Sequence, residues 1–172
     1  MGEARKHTDT EPAKIFLRLT RSAITMGRAH LASQTGAAPE GERAWGWYIP
    51  PGGREKQGRG VKVGWVKDDE ILLLPDAAYS VAYKLAQEQG EILPGTVDTI
   101  KRDLKEQGLL AKTEEKRRTI TVRRTLEGEQ QDVLFIKYES FHGASMDSAD
   151  IADIADIGNG VTELVGVANS LP

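Results

Sequence analysis

The sequence contains no cysteine, and no apolar run approaches the ~18 residues that a membrane span requires. The absence of cysteine excludes disulfide bonds, zinc sites built on thiolates and catalysis by a cysteine nucleophile. The N-terminal residues MGEARKHTDTEP lack the apolar stretch of a secretory signal peptide. We therefore expect a soluble, cytoplasmic protein without a membrane partner.

Sequence motifs of enzymes are also scarce. The histidines, His7, His30 and His142, are far apart and do not have the spacing of metal ligands. The glycine-rich segment 50–60 lacks the Gly-Lys-Ser/Thr sequence of a phosphate-binding loop. No serine lies in a nucleophile elbow. The sequence therefore predicts a protein that is not an enzyme and that has no metal or other cofactor.

Charge is distributed unevenly along the chain. Residues 96–124 contain 9 Lys/Arg and 5 Asp/Glu, a net charge of +4, whereas residues 125–172 contain 1 and 9, a net charge of −8. Residues 1–95 contain 13 and 12, a net charge of +1, which completes the total of −3. A basic segment beside an acidic one is typical of a nucleic-acid-binding protein with a solvating appendage. The alternative is that the basic segment is only a solvated face.

The first half of the chain predicts one helix followed by strands. Apolar residues recur at helical spacing from Pro12 onward, which predicts a helix over residues 12–35 that ends at Gly36 and carries His30 on its apolar face. Aromatic and β-branched residues at 45–49 and 61–66 predict a β-hairpin with a long, basic, mobile loop. A third strand should run from Glu70 to Leu74.

The second half predicts a helix-turn-helix and a wing. One helix begins at Pro75 and ends at Gly90, and a second is capped by Thr96, buries Val97, Ile100 and Leu104, and stops at Gly108. Strands at 109–113 and 119–126 should then pair as a two-stranded wing with a charged tip at 114–118, and another strand should follow at 133–136. This order predicts an α+β fold, a winged helix with an inserted β-hairpin after the first helix.

Composition also predicts the domain boundaries. We expect a flexible N-terminus over residues 1–11, a winged-helix DNA-binding domain over 12–142 and an acidic, low-complexity, disordered tail over 143–172. The triplet Ala-Asp-Ile occurs three times over residues 149–157, and acidic composition without aromatic residues favours disorder.

The helix at 96–107 is the main candidate DNA-binding element. In helix-turn-helix proteins the N-terminal part of the second helix enters the major groove. There Arg102 could reach a guanine edge, and Thr96 or Thr99 could reach a phosphate. Lys101 and Lys105 suit contacts to the DNA backbone. The alternative interpretation is an ordinary amphipathic helix whose charged residues are surface neighbours.

The predicted wing tip carries Lys116, Arg117 and Arg118. Wings with such positive clusters lie along phosphates or in the minor groove. Glu114 and Glu115 partly neutralise the cluster, so a solubilising turn is the alternative.

Four aromatic residues allow two interpretations. Trp45, Trp47, Tyr48 and Trp65 lie beside the basic loop at 50–60, as in a stacking platform for single-stranded nucleic acid. Large aromatic side chains more commonly close a core, and we expect that role for most of them.

Several stretches are familiar in combination: residues 15–17 (IFL), 26–31 (MGRAHL), 45–47 (WGW), 63–66 (VGWV), 72–79 (LLLPDAAY), 99–111 (TIKRDLKEQGLLA) and 121–128 (TVRRTLEG). Together they resemble the C-terminal winged-helix region of bacterial phage- or plasmid-type replication proteins, which join a primase-polymerase domain to a helicase. The resemblance covers about residues 13–137. It implies binding of a replication origin or template, with the primase and ATPase activities located elsewhere.

We therefore predict a winged helix that binds DNA, as duplex rather than single strand. Its expected protein partners are primase or helicase components. Two alternatives remain open. The first is a transcriptional regulator, because the fold alone does not determine the function. The second is a protein-interaction winged helix that does not bind DNA.

Overall fold

The computed structural model of the protein describes residues 11–142. The N-terminus and the acidic tail predicted from composition lie outside these residues, apart from Glu11. The described elements are, in order, α1 (Pro12–Thr25), β1 (Ala29–Ala32), a 3-10 helix (Glu42–Trp45), β2 (Trp47–Tyr48), β3 (Gln57–Gly58), β4 (Val61–Lys67), β5 (Glu70–Leu73), α2 (Pro75–Gln89), α3 (Val97–Glu106), β6 (Leu110–Lys112), β7 (Val122–Leu126), β8 (Glu129–Lys137) and α4 (Tyr138–Phe141). The predicted α+β class is confirmed.

The main sheet is mostly antiparallel and is organised around β8. Strands β1, β4, β5, β8 and β6 lie side by side in that order, and β1 runs parallel to β4. Ile136 of β8 lies opposite both Ile71 of β5 and Leu110 of β6. The first half of β8 pairs with β7, from Val122 opposite Val133 to the turn that joins the two strands. One strand therefore has three partners.

The two faces of the sheet belong to two separate cores, because side chains alternate along a strand. Leu134 and Ile136 pack in one core with apolar residues of all four helices. The helices contribute Phe16, Leu19, Leu85, Ile100, Leu104 and Phe141. Each fully buried side chain of this kind contributes about 1.5–3 kcal/mol, so this core accounts for much of the folding free energy.

The second core lies on the opposite face of the sheet. Trp65, Leu72 and Phe135 are register partners across β4, β5 and β8, and all three are buried. Val122 and Leu126 of β7 belong to the same cluster. Because both faces are covered, residues 71–73 of β5 and 133–136 of β8 are continuous apolar runs that do not alternate with polar residues.

Glu127, in the turn between β7 and β8, fastens this hairpin to β4. Its Oε2 accepts hydrogen bonds from Trp65 Nε1, at 3.0 Å, and from Lys62 Nζ. Its backbone N–H donates to the carbonyl oxygen of Gln34 at 3.0 Å. The hydrogen bond from Lys62 holds the pKa of Glu127 below its usual range, with a smaller contribution from Trp65.

The first helix is shorter than predicted. It ends at Thr25 because Gly27 adopts a left-handed backbone conformation with φ +77°, which interrupts the helix before Gly36. The following residues form β1, so His30 lies on a strand, half-buried, and not on the apolar face of the helix.

The predicted hairpin between residues 45–49 and 61–66 is wrong. Trp45 ends a 3-10 helix that is closed by Gly46 at φ +90°. Strand β2 pairs instead with β3, which lies inside the predicted mobile loop, and β4 pairs with β1 and β5. A hairpin prediction assumes that strands adjacent in the sequence pair with each other. Strand β4 instead pairs with β1, which is distant in the sequence.

The predicted wing pairing is also wrong. Strands β6 and β7 both pair with β8, and within residues 11–142 the two arms are joined only by an isolated bridge between Glu114 and Thr119. Glu127 and Gly128, at φ +52° and +83°, form the tight turn that makes β7 and β8 a hairpin. Strand β8 is longer than predicted, so its second half remains available to β6.

Helices α1 and α3 are joined at the start of α1. The Ala13 N–H has no partner within its own helix, as is usual in a first turn, and donates to Asp103 Oδ2 at 2.8 Å. Ala13 is fully buried, and Gln107 Nε2 donates to the other oxygen of Asp103 at 3.4 Å.

We expect Asp103→Ala to lower the free energy of unfolding by about 1–3 kcal/mol, because it leaves a buried donor unpaired. Urea denaturation followed by circular dichroism measures this change. Glu106→Ala, on the exposed surface of the same helix, serves as the control and should change stability by less than about 0.5 kcal/mol. Equal effects of the two substitutions would contradict a bonding role for Asp103.

Acid should weaken the attachment at Glu127. Because its pKa is lowered in the folded protein, its contribution is complete above the pKa of the unfolded chain and is lost as the pH falls through the folded pKa. We expect Glu127→Gln to be less stable than wild type at neutral pH and to lose less stability on acidification. Thermal unfolding across this pH range measures the difference, and Glu129→Gln is the control. Parallel pH profiles of wild type and Glu127→Gln would show that Glu127 does not contribute.

Candidate nucleic-acid interface

The N-terminus of α3 is capped as predicted. Thr96 is the N-cap, and its Oγ1 accepts a hydrogen bond from the backbone N–H of Thr99 at 3.3 Å. The Thr99 side chain packs against Gly95, where a Cβ would lie 2.7 Å from Thr99 Cγ2. Both threonines therefore have structural roles in starting the helix, in addition to any contact with a ligand.

The face of α3 opposite Ile100 and Leu104 carries the basic residues. Arg102 and Lys105 are exposed, and Lys101 is half-buried. Lys101 Nζ lies 3.8 Å from Asp98 Oδ1, whereas Arg102 Nε, among the described residues, donates only to the backbone oxygen of Asp98, at 3.4 Å.

The basic turn after β6 presents Lys116, Arg117 and Arg118 to solvent. Arg118 has a left-handed backbone, at φ +53°. Arg117 Nη1 lies 3.7 Å from Asp132 Oδ1, which also accepts a hydrogen bond from Arg123 Nε at 3.1 Å. The Arg123 hydrogen bond is the main cause of a lowered Asp132 pKa. The charge of Arg117 is therefore partly balanced within the protein.

Two further basic residues, not recognised in the sequence, flank one ring. Lys112 Nζ lies 5.1 Å and Arg124 Cζ 5.2 Å from the ring centre of buried Phe135. They come from β6 and β7, and both contact β8. Their position depends on the three-strand pairing of β8, which no local signal in the sequence reveals.

Many cations between α3 and β7 have no carboxylate partner. Within the described part of the chain, no ion pair is formed by Arg102, Lys105, Lys112, Lys116, Arg118 or Arg124. By contrast, Arg18 of α1 pairs with Glu91, and Arg28, directly before β1, pairs with Glu88. We call the six unpaired residues the open basic set.

The structure brings the predicted site residues together in two groups. The first group lies on α3 and its N-cap: Thr96, Thr99, Lys101, Arg102 and Lys105. The second group lies in the turn after β6: Lys116, Arg117 and Arg118. Between residues 11 and 142, no hydrogen bond or ion pair connects the two groups directly.

The four aromatic residues divide between core and surface. Trp45 and Trp65 are buried, as expected. Trp47 and Tyr48 are half-buried and line a groove of about 500 Å³ between the end of α1, the 3-10 helix and β2.

No protein-family model, curated protein or solved structure matches this chain. In the described residues, no helix has both the length and the apolar character that crossing a membrane demands. The same residues contain no cluster of three or more His, Asp or Glu side chains that could hold a metal ion.

Proposed function

We propose that this protein binds duplex DNA through α3 and the basic surface from β6 to β7, and that it does so without enzymatic activity. The observation that carries the proposal is the open basic set. Its charges have no carboxylate partner among the described residues, so an external polyanion can neutralise them. Binding of this kind releases counterions from the DNA and supplies much of the affinity.

The order of elements supports a winged-helix interpretation. Helix α1 is followed by β5, α2, α3, β6 and β8, and β8 lies between β5 and β6 in the sheet. The segment from β1 to β4 is then an insertion between α1 and β5. In this interpretation α2 and α3 form a helix-turn-helix, and α3 is the recognition helix.

The two groups of basic residues would have different tasks. Arg102 is exposed on α3, and within residues 11–142 its guanidinium donates only to a backbone oxygen, so it can turn toward a guanine edge. Lys105 and Lys116 are point charges that suit phosphates, which carry no sequence information. Lys101 and Arg117 have carboxylate partners and should contribute less.

The role in replication is supported by sequence resemblance alone. The motifs from residues 15–17 to 121–128 resemble the winged-helix region of primase-helicase proteins, so we propose origin or template binding with primase or helicase components as partners. In the structure these motifs form parts of β1 and β4 and the β7–β8 turn.

We expect Lys105→Ala and Lys116→Ala each to lower the slope of log affinity against log salt by about one unit on any duplex. Arg102→Ala should instead cost about 1–3 kcal/mol on a preferred site and little on random DNA. Fluorescence anisotropy with labelled duplexes measures both effects.

Lys84→Ala is the matched control for charge, because Lys84 is exposed on α2 and forms no ion pair with any described residue. It should leave affinity and salt slope unchanged. Absence of binding to every duplex at low salt would contradict the proposal, and so would an equal effect of Lys84→Ala.

A further inference from the structure

Arg59 is fixed through its backbone beside the groove. Its N–H donates to the carbonyl oxygen of Gly46 at 2.7 Å, and its carbonyl oxygen lies 2.9 Å from His30 Nδ1. The preceding Gly58 lies so close to His30 that a Cβ there would be 2.5 Å from the imidazole ring. Strand β3 is therefore held against β1, and Arg59 leaves it in a defined direction.

The side chain of Arg59 also has a defined position, set by its contacts with Gly27 and Tyr48. It crosses Gly27, where a Cβ would lie 3.1 Å from Arg59 Cδ, and its guanidinium carbon lies 4.4 Å from the ring centre of Tyr48. Arg59 is exposed and forms no ion pair within residues 11–142. The result is a cation placed over an aromatic ring before any ligand arrives, with its charge unneutralised.

The rest of the groove combines apolar surface with further positive charge. Ile24 and Ile49 line it beside Trp47, whose Nε1 is already occupied by a hydrogen bond to the Leu31 oxygen at 2.8 Å. Arg43 lines it as well and, among the described residues, has no ion-pair partner.

Among the described residues that line the groove, one, Glu42, carries a carboxylate, and its charge is balanced. Glu42 Oε1 is 3.0 Å from Lys56 Nζ, and the hydrogen bond from Lys56 keeps the Glu42 pKa below its usual range. The guanidinium groups of Arg43 and Arg59 therefore give the groove a net positive charge.

We infer that this groove binds an unpaired nucleotide of a single-stranded nucleic acid. Its volume of about 500 Å³ is in the range of sites for ligands of this size. The base would stack on the pair formed by Tyr48 and Arg59, because nucleobases stack on aromatic rings and on guanidinium planes. The flanking phosphates would contact Arg43 and Arg59. An acidic peptide without aromatic residues, such as poly-glutamate, would satisfy the charges but has no ring for the stack.

This site shares no lining residue with α3 or with the turn after β6. The inference is therefore independent of duplex binding by the open basic set.

The test uses a short, fluorescein-labelled poly-dT strand and the full chain. Alanine substitution at a stacking residue typically weakens binding by about tenfold or more, so we expect that loss for Tyr48→Ala and nearly wild-type affinity for Tyr48→Phe. Arg43→Ala should lower the salt slope by about 0.7, the value for one phosphate of a single strand. Lys84→Ala should change neither quantity.

Thermal unfolding shows whether each variant is folded. If Tyr48→Ala does not fold, the salt slope of Arg43→Ala still tests the inference. The inference is overturned if poly-dT does not bind at low salt, or if folded Tyr48→Ala binds it as wild type does. It is also overturned if poly-glutamate competes with poly-dT and its binding depends on Tyr48 in the same way.

Loss of poly-dT binding in Arg102→Ala, with Tyr48→Ala unaffected, would assign the single strand to α3. Retained duplex binding by Tyr48→Ala would separate the groove from the duplex surface.

Discussion

Strand β8 pairs with β5 and β6 along its second half and with β7 along its first. The other features of the fold depend on this pairing. Leu134 and Ile136 support the helical core, whereas Val133 and Phe135 support the core under β7. The path of β8 also sets where β6 leaves α3 and where Lys112 and Arg124 meet over one ring. A change in its register would turn every side chain to the opposite face and disrupt both cores.

Three acidic residues around α3 and the β7–β8 hairpin are engaged within the protein. Asp103 accepts a hydrogen bond from the first turn of α1. Glu127 accepts hydrogen bonds from Lys62 and Trp65. Asp132 forms ion pairs with Arg117 and Arg123. Because these carboxylates have internal partners, they are not available to neutralise their other basic neighbours. The internal bonds of these three carboxylates therefore connect the packing of the fold with the open basic set and its proposed binding of DNA.

Features with local signals could be predicted from the sequence. Pro75 and Gly90 bound α2, Thr96 caps α3, and the burial of Ile100 and Leu104 follows from helical spacing. The non-local features could not: the parallel pairing of β1 with β4, the three partners of β8 and the contact of Gly58 with His30 all join distant segments. For that reason the sequence named α3 and the basic turn as candidates but not Lys112, Arg124 or the position of Arg59. Replication remains a prediction from resemblance.

The central claim is that α3 and the basic surface from β6 to β7 form one duplex-binding face. Titration of ¹⁵N-labelled protein with duplex DNA at low salt, followed by amide chemical shifts, tests it most directly. We expect the largest changes at the exposed residues of α3 and at residues 114–119, decreasing together as salt rises because phosphate contacts are screened. Shifts confined to the opposite end of the sheet, around β1 and β2, or no shifts at low salt, would contradict the claim.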